Sequence, residues 1–332
     1  MKTTETRKKE HLKIALNQKV ETAGTGLERF RFAHHSLPEL DFSEISVSTS
    51  FLGKTLKAPF MITAATGGFE YAGKINRELA SACEKHGIAF GLGSQRAMLE
   101  SASLSKTFKV RDIAPKVFLA GNIGAAQLNQ YPSKRIQNML DEIEADALCI
   151  HLNPLQEALQ MEGDKNWKGC LSAIEKTCSY VSVPVIAKEV GSGISAEIAK
   201  ELEDAGVSAI DVSGLGGTSW SSIEYSRSET SEKTFSEWGI PTSESIQLCA
   251  KAVKIPLIAS GGLRSGLDAA KCIRLGASLS GAALPFLKSL ENGGMKSLDG
   301  EISRWIRELK TAMFLTRSKN LSELKKAQII RQ

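Results

Sequence analysis

The sequence predicts an α/β fold, specifically a (β/α)8 TIM barrel with an N-terminal extension and C-terminal helices. Eight short apolar segments recur along the chain, as expected for parallel strands that are buried on both faces. Amphipathic segments lie between many of them, and no linker or tandem repeat divides the 332 residues. One barrel of about 250 residues therefore accounts for most of the chain.

The eight predicted strands are rich in β-forming residues and almost continuously apolar. In chain order they span residues 59–64, 88–92, 117–121, 147–152, 184–188, 209–212, 256–260 and 279–281. The barrel is therefore predicted to occupy residues 55–290. Residues 1–54 are predicted to form an N-terminal extension that carries a substrate-clamp motif, and residues 291–332 to form closing helices.

The segments between the strands follow the helical period. Apolar residues recur at i, i+4 and i+7 in two of them, at Ile136, Leu140 and Ile143 and at Ile198, Leu202 and Ala205. Gly206 is placed to end the second of these helices. A third helix is predicted to start with a capping box at Ser265 and Asp268 and to end at Gly276.

Residues 214–239 depart from this alternation. They are rich in Ser, Thr, Gly and Glu, with Trp220, Tyr225 and Trp238 interspersed. An insertion between the sixth strand and its helix indicates a mobile loop near a functional site. An ordinary surface loop is the alternative interpretation.

The composition excludes several classes of protein without selecting a function. Hydrophobic residues make up 42% and charged residues 24% of the chain, close to the averages of soluble globular proteins. The net charge of +5 does not indicate a nucleic-acid partner, although it suits an anionic small ligand. The N-terminus lacks the apolar region of a signal peptide, and apolar runs are far shorter than the roughly 20 residues that cross a membrane.

The cysteines form no CxxC pair. Most of them lie in apolar helix or strand patterns: Cys83, Cys149, Cys170, Cys178, Cys249 and Cys272. We interpret them as reduced thiols of a cytoplasmic protein rather than as a disulfide framework or a zinc site.

A competing pattern suggests a dinucleotide-binding fold. Residues 191–196 read GSGISA and follow a predicted strand, and Asp211 lies twenty residues after Gly191, where such a fold places its ribose-binding acid. The pattern is short, and it belongs to the fifth of eight similar units. Lys188 and Glu189 at the strand end also have little reason to occur in a dinucleotide turn, so the barrel is favoured.

In a barrel of this kind, functional side chains come from the carboxyl ends of the strands. Small residues after strands seven and eight match the recurrent phosphate site of the fold, where backbone N–H groups meet an anion. Tight turns without a ligand are the alternative. The small residues are Gly261, Gly262, Ala282 and Ala283, and the other strand ends supply Thr66, Gly67, Ser94, Gln95, Arg96, Asn122, His151, Asn153, Lys188 and Ser213.

Two of these strand-end residues carry particular weight. An unpaired Lys188 ammonium at the barrel mouth is costly, so it needs either an anionic ligand or a salt bridge to Glu189 or a neighbouring acid. His151 is the only histidine placed at the mouth, and a histidine satisfied within the core is an equal alternative.

Two further groups lie in loops or in the N-terminal extension. Gln160 and Glu162 suit a Mg²⁺ ion that also binds phosphate oxygens, with a solvated loop acid as the alternative. Arg7, Lys8 and His11 form either a diphosphate clamp or a solvated tail, and the sequence alone favours the tail.

Taken together, the motifs resemble those of the type 2, FMN-dependent isopentenyl diphosphate delta-isomerase family. In chain order they are RKKEH at 7–11, TGG at 66–68, GSQR at 93–96, HLNP at 151–154, QMEG at 160–163, KEVG at 188–191, GGTSW at 216–220 and SGGLRSG at 260–266. Each motif is weak alone, whereas the ordered set spans nearly the whole chain and is highly specific. Two small departures are Ala65, where the family often has Met, and Ser192.

The resemblance implies an enzyme that interconverts isopentenyl and dimethylallyl diphosphate and needs FMN, Mg²⁺, and NADPH or NADH as flavin reductant. It implies flavin contacts from Ala65, Thr66, Gly67, Ser94, Asn122, Lys188, Ser213 and Thr218, and contacts with the flavin's phosphate from Gly261, Gly262, Arg264, Ala282 and Ala283. It implies substrate contacts from Arg7, Lys8, His11, Ser94, Gln95, Arg96, Asn153 and Gln160, and a metal ligand in Glu162. It further implies a homotetramer or homo-octamer.

Isomerisation needs one protonation and one deprotonation, yet the sequence offers no obvious acid–base pair. The resemblance implies that the reduced flavin exchanges the proton, with Lys188 favouring its anionic ring and His151 and Gln160 orienting the reacting end of the substrate. Two other functions stay open at this stage. One is an FMN barrel that oxidises a hydroxy acid, and the other is a non-catalytic barrel that binds a phosphate ligand.

Overall fold

The computed structural model describes residues 4–22, 24–64, 66–228 and 233–332. Its strands are β1 (Phe30–Phe32), β2 (Thr49–Phe51), β3 (Lys54–Leu56), β4 (Phe60–Ile62), β5 (Ala89–Gly91), β6 (Leu119–Gly124), β7 (Ala147–Leu152), β8 (Val185–Glu189), β9 (Ala209–Asp211), β10 (Leu257–Ala259), β11 (Leu279–Ala282) and β12 (Ile329–Arg331). Its α-helices are α1 (Thr4–Asn17), α2 (Glu70–His86), α3 (Arg96–Glu100), α4 (Ala125–Leu128), α5 (Ser133–Glu142), α6 (Pro154–Leu159), α7 (Cys170–Tyr180), α8 (Ala196–Asp204), α9 (Trp220–Ser228), α10 (Thr242–Ala252), α11 (Gly266–Leu275), α12 (Leu284–Leu315) and α13 (Leu321–Leu324).

Strands β4 to β11 form a closed parallel barrel, which confirms the predicted fold class. Each of the eight predicted strands overlaps one barrel strand. Consecutive strands are neighbours throughout, and β11 returns to pair with β4, with Ala282 opposite Ile62. The carboxyl ends of all eight strands therefore meet at one rim of the barrel.

The strands alternate between two hydrophobic cores. On β7, Ala147 and Cys149 point into the barrel, whereas Leu148 and Ile150 point outward against the helices. This period of two follows from the pleat of a strand. Apolar residues on both faces are therefore needed, which explains the nearly continuous apolar pattern of the sequence.

A hairpin of β2 and β3 closes the rim opposite the strand carboxyl ends. Its Phe51 packs edge-on against Phe118 of the barrel interior, with ring centroids 5.5 Å apart. Because this rim is sealed by apolar side chains, the open rim is the one where the polar strand ends gather.

The helical predictions are confirmed, with one correction. Ile198 was placed on the buried face of α8, yet it is 40% exposed, whereas Ala199 and Leu202 are buried. The buried face of α8 therefore begins at Ala199 and not at Ile198, whereas Leu202 and Ala205 are buried as predicted. In α11, Ser265 accepts a hydrogen bond from the Asp268 N–H at 3.1 Å, and Gly276 ends the helix.

The C-terminal part contains a strand that the sequence did not predict. The barrel boundary predicted at residue 290 falls within α12, close to a kink at Gly293 and Gly294. After α13, β12 pairs antiparallel with β1 of the N-terminal extension. The end of the chain thus fastens the extension to the barrel.

Within the described ranges, even the long helix α12 lacks a stretch apolar enough to cross a membrane.

Candidate active site

The carboxyl ends of the strands surround a cavity of about 250 Å³. Its walls consist of strand-end residues, the turns after them and helix α1 of the extension. Most of the predicted site residues lie in this lining: Arg7, Lys8, His11, Thr66, Gly67, Ser94, Arg96, Asn122, His151, Asn153, Gln160, Lys188, Ser213, Thr218, Gly261, Gly262, Arg264, Ala282 and Ala283.

Two predicted site residues in the described part of the chain, Gln95 and Glu162, are not among the lining. Ala65 lies outside the described residues. Gln95 is fully buried, and its Oε1 accepts a hydrogen bond from the Asn122 N–H at 2.9 Å, so it supports a lining residue instead of facing the cavity. Glu162 lies in an ion pair with Arg227, described below.

Strand register explains how the charged centre of the site assembles. His151 on β7 is the partner of Lys188 on β8, and Lys188 is the partner of Asp211 on β9. The Lys188 Nζ donates to Asp211 Oδ2 at 2.7 Å and to Ser260 Oγ at 3.2 Å. Of the two partners predicted for Lys188, the described residues provide a salt bridge to a neighbouring acid. That acid is Asp211 rather than Glu189.

Glu189 has a different role in the same strand end. Its Oε2 accepts the backbone N–H groups of Val190, Gly191 and Ser192 at 2.6, 2.6 and 2.5 Å. Burial raises the pKa of Glu189 to about 7, although these three hydrogen bonds act in the opposite direction. The carboxyl group therefore holds the turn that includes Val190 and Gly191 of the cavity wall.

His151 faces the cavity as a neutral imidazole. Its Nδ1 lies 2.8 Å from Asn122 Oδ1, and because an amide oxygen only accepts, Nδ1 carries the proton. Burial lowers the pKa of His151 to about 4, assisted by the nearby Lys188 and Lys8 charges. Its Nε2 is therefore left as a hydrogen-bond acceptor, and the residue belongs to the cavity lining.

The N-terminal cluster is ordered against the cavity rather than frayed. Lys8 Nζ donates to the Ser94 carbonyl at 2.6 Å. Burial, assisted by the nearby charge of Arg7, lowers the pKa of Lys8 to about 7. His11 Nε2 lies 2.9 Å from a carboxylate oxygen of Glu224 on α9. These contacts make α1 one wall of the cavity, so the N-terminal cluster is not a solvated tail.

The Gln160 side chain connects the N-terminal cluster to helix α9. In the amide orientation that satisfies both of its neighbours, its nitrogen donates to Glu224 Oε1 at 3.2 Å and its oxygen accepts from Arg7 Nη1 at 3.0 Å. The side chain is buried, so its position is fixed by these two charged partners.

The guanidinium of Arg227 forms ion pairs with three carboxylates beside the N-terminal cluster. Arg227 contacts Glu224 at 2.5 Å, Glu162 at 2.6 Å and Glu10 at 3.2 Å. Across the described part of the chain, no three His, Cys, Asp or Glu side chains are arranged to hold a metal ion by themselves.

Asp211, Glu224 and Arg227 are site residues that the sequence analysis did not select. Asp211 stands at the end of β9 and was considered only as part of the dinucleotide pattern. The rule that strand ends carry function could have found Asp211. No sequence signal distinguishes Glu224 and Arg227 from other charges of a helix.

The fold and the site define the class of protein: a (β/α)8 barrel of the FMN-dependent dehydrogenase type, whose family model matches residues 111–331. The chain belongs to the isopentenyl-diphosphate delta-isomerase family, as the sequence motifs predicted. A relative with that name from Nostoc sp. is 46% identical over 97% of this chain and 94% of its own length. Another, from Pyrococcus horikoshii, is 45% identical over 98% of this chain and 91% of its own length.

Solved structures support the fold. A mandelate oxidase mutant with a monooxide FMN adduct superposes with a TM-score of 0.66 at 16% identity, covering 97% of this chain and 92% of the other. At this identity, the likeness shows a shared barrel and nothing about substrate.

Proposed function

We propose that the chain interconverts isopentenyl and dimethylallyl diphosphate, using reduced FMN and Mg²⁺. One observation carries the proposal: a single cavity contains two groups of cations at the positions of the family motifs. Arg7, Lys8 and Arg96 form one group, and Arg264 belongs to the other. Two such groups suit two anionic ligands, a diphosphate and a flavin phosphate.

The residues present fit FMN. The lining includes small residues, which let a flat ring approach the backbone, together with the donors Ser94, Asn122 and Lys188. Helix α12 begins at the cavity, and no side chain caps its first N–H groups, so they are available to a phosphate. When bound, reduced FMN supplies an N5 position that exchanges a proton and an anionic ring that favours positive charge on the substrate.

The residues also fit Mg²⁺ bound together with a diphosphate. This ion usually takes one or two carboxylates and completes its shell with water and phosphate oxygens. Glu162 would supply the carboxylate, and the Arg7 guanidinium lies close enough to interact with its charge. Asn153 Oδ1 is buried without a hydrogen-bond partner among the described residues, which suits a site completed by a ligand.

The side chains of this chain would bind, orient and shield the reactants. Arg7, Lys8 and Arg96 would neutralise the diphosphate, and Lys188 would favour a negative flavin ring. The His151 Nε2 and the Gln160 amide would orient the reacting end of the substrate. Since the pKa of His151 is about 4, this imidazole acts as a weak acceptor near neutral pH and not as a strong base.

The test is an isomerase assay combined with a visible spectrum. We expect a yellow protein that converts isopentenyl diphosphate when FMN, Mg²⁺ and NADPH are supplied, and no turnover with oxidised FMN alone. Lys188→Met should lower kcat at least about 100-fold. The matched variant Lys54→Met removes a lysine from the opposite rim and should keep most of the wild-type kcat.

Two results would contradict the proposal. Undiminished isomerisation by flavin-free protein would remove the role of FMN. Bleaching of bound flavin by a hydroxy acid, without isomerisation of isopentenyl diphosphate, would identify an oxidase instead.

Free thiols at all six cysteines accord with a cytoplasmic location. We also propose that NADPH or NADH is the reductant and that the protein is a homotetramer or homo-octamer.

A further inference from the structure

A carboxylate of the N-terminal extension contacts two cations at the end of the cavity that we propose binds the flavin phosphate. Arg264 Nη2 donates to Glu21 Oε1, and Lys288 Nζ donates to Glu21 Oε2 at 3.3 Å. The three side chains are 30 to 40% exposed, so the cluster is open to solvent and to a ligand.

Backbone pairing holds Glu21 at this position. Residues 20–22, here called the arm strand, run antiparallel to residues 217–219. The Thr22 N–H donates to the Gly217 carbonyl at 2.9 Å, and the Ser219 N–H donates to the Val20 carbonyl at 2.8 Å. Glu21 forms the bridge between them, opposite Thr218. Strand pairing therefore fixes the backbone from which the Glu21 carboxylate extends toward the two cations.

Arg264 and Lys288 lie beside the N-terminus of helix α12, which can bind an anion. Arg264 lines the cavity together with Gly262 and Ala283. Lys288 stands one turn inside α12, whose uncapped N-terminus begins at Leu284. A helix N-terminus with two cations favours a phosphate dianion even more strongly than a carboxylate.

We propose that Glu21 occupies the phosphate subsite of the cofactor in the ligand-free protein, and that Lys288 joins Arg264 in binding the phosphate once Glu21 withdraws. The inference rests on the proposed binding of FMN. It adds Lys288 as a phosphate-binding residue and gives the arm strand a role in cofactor exchange.

Electrostatics gives the direction of each effect. A phosphate that enters beside Glu21 meets a like charge, so it must displace the carboxylate from Arg264 and Lys288. Removal of that charge should strengthen the binding of a flavin with a phosphate and leave a flavin without one unaffected. Removal of the Lys288 charge should do the opposite.

The experiment compares FMN with riboflavin, which has the same ring and no phosphate. Dissociation constants for both are measured by flavin fluorescence on the apoprotein. In Glu21→Gln, we expect FMN to bind about fivefold more tightly, the size typical of a partly exposed ion pair. In Lys288→Gln, we expect FMN to bind about fivefold more weakly. Riboflavin should bind equally to both variants and to the wild type, which also reports that the variants are folded.

Glu39→Gln is the matched control, because it removes an acid of the same extension that pairs with Arg317 outside the cavity. It should leave both constants unchanged. Weaker FMN binding in Glu21→Gln would overturn the proposal, since Glu21 would then support Arg264 in the loaded protein. An unchanged ratio of the two constants in both variants would also overturn it. If the wild type binds neither flavin, the proposed function fails together with this inference.

Discussion

Burial sets the charge state of individual residues in the cavity. Lys8 and His151 both lose proton affinity because the barrel mouth solvates their charged forms poorly. Their consequences differ, since His151 stays neutral across the physiological range while Lys8 titrates within it. Lys8 is therefore the residue through which pH should control diphosphate binding.

For isopentenyl diphosphate, kcat/KM is expected to fall as pH rises through about 7. Lys8 has its pKa lowered to about 7, so above that pH it loses the charge that we propose binds the diphosphate. The fall should approach tenfold per pH unit, because kcat/KM reports the free enzyme. Lys8→Arg, which stays charged, should remove this step from the profile. A parallel decline in the wild type and the arginine variant would assign the titration to another group.

The sequence predicted most of the cavity lining at this scale, because strand ends of a parallel barrel must meet at one rim. Lys188 and His151 were found in this way. Asn122 was also found, but the pairings of Lys188 with Asp211 and of His151 with Asn122 were not, because these partners lie 23 and 29 residues apart in the chain. Strand register brings such pairs together, and register cannot be predicted from any single segment of the sequence.

At the scale of elements, the short turns after the strands form part of the cavity wall and are held in place by hydrogen bonds. The turn after β8 is stabilised by Glu189, which accepts three successive backbone N–H groups. Such N–H groups would otherwise be partly buried without a partner. The same residues produced the misleading dinucleotide pattern, since glycines that allow a tight turn occur in both folds.

Glu189→Ala is expected to lower the free energy of unfolding by about 2 kcal/mol, because it leaves buried donors unsatisfied. Glu189→Gln keeps an acceptor oxygen and should cost less. Urea unfolding gives both values. Glu84→Ala is the matched control, since its exposed carboxylate accepts a single N–H, from Lys116, and its loss should cost well under 1 kcal/mol. Equal losses at the two positions would show that the turn does not depend on Glu189.

Element positions were predicted more reliably than faces and ends. The strands were found because both of their faces are apolar, whereas the pattern of α8 was off by one residue at Ile198. A helix with small buried residues such as Ala199 hides its inward face from a search for large apolar side chains. Strand β12 was missed because three residues carry too little periodicity to predict a strand.

At the scale of the whole molecule, the two terminal regions are joined outside the barrel. Strand β12 pairs with β1, and the Gln332 N–H donates to the Arg29 carbonyl at 2.8 Å. The segment between β1 and the arm strand includes Thr25, which packs closely against Gly216 and Gly262 of the cavity rim. The last residues of the chain thus stabilise a segment that reaches the site.

Deletion of residues 329–332 is expected to loosen the extension while leaving the barrel intact. Hydrogen exchange should become at least about tenfold faster at Arg31, which is paired with Ile330, and remain unchanged in β6 and β7. Ile330→Lys is the matched control, because this side chain is 51% exposed and the pairing uses the backbone. Unchanged exchange in β1 of the truncated protein would contradict this coupling.

The pairing of β1 with β12 also orders events during synthesis. All eight barrel strands leave the ribosome before residue 329, so the barrel can close while the chain is still being made. The extension precedes the barrel in the sequence, yet its strand β1 gains a partner only once β12 has been made. Pairing of β1 therefore follows the synthesis of all eight barrel strands.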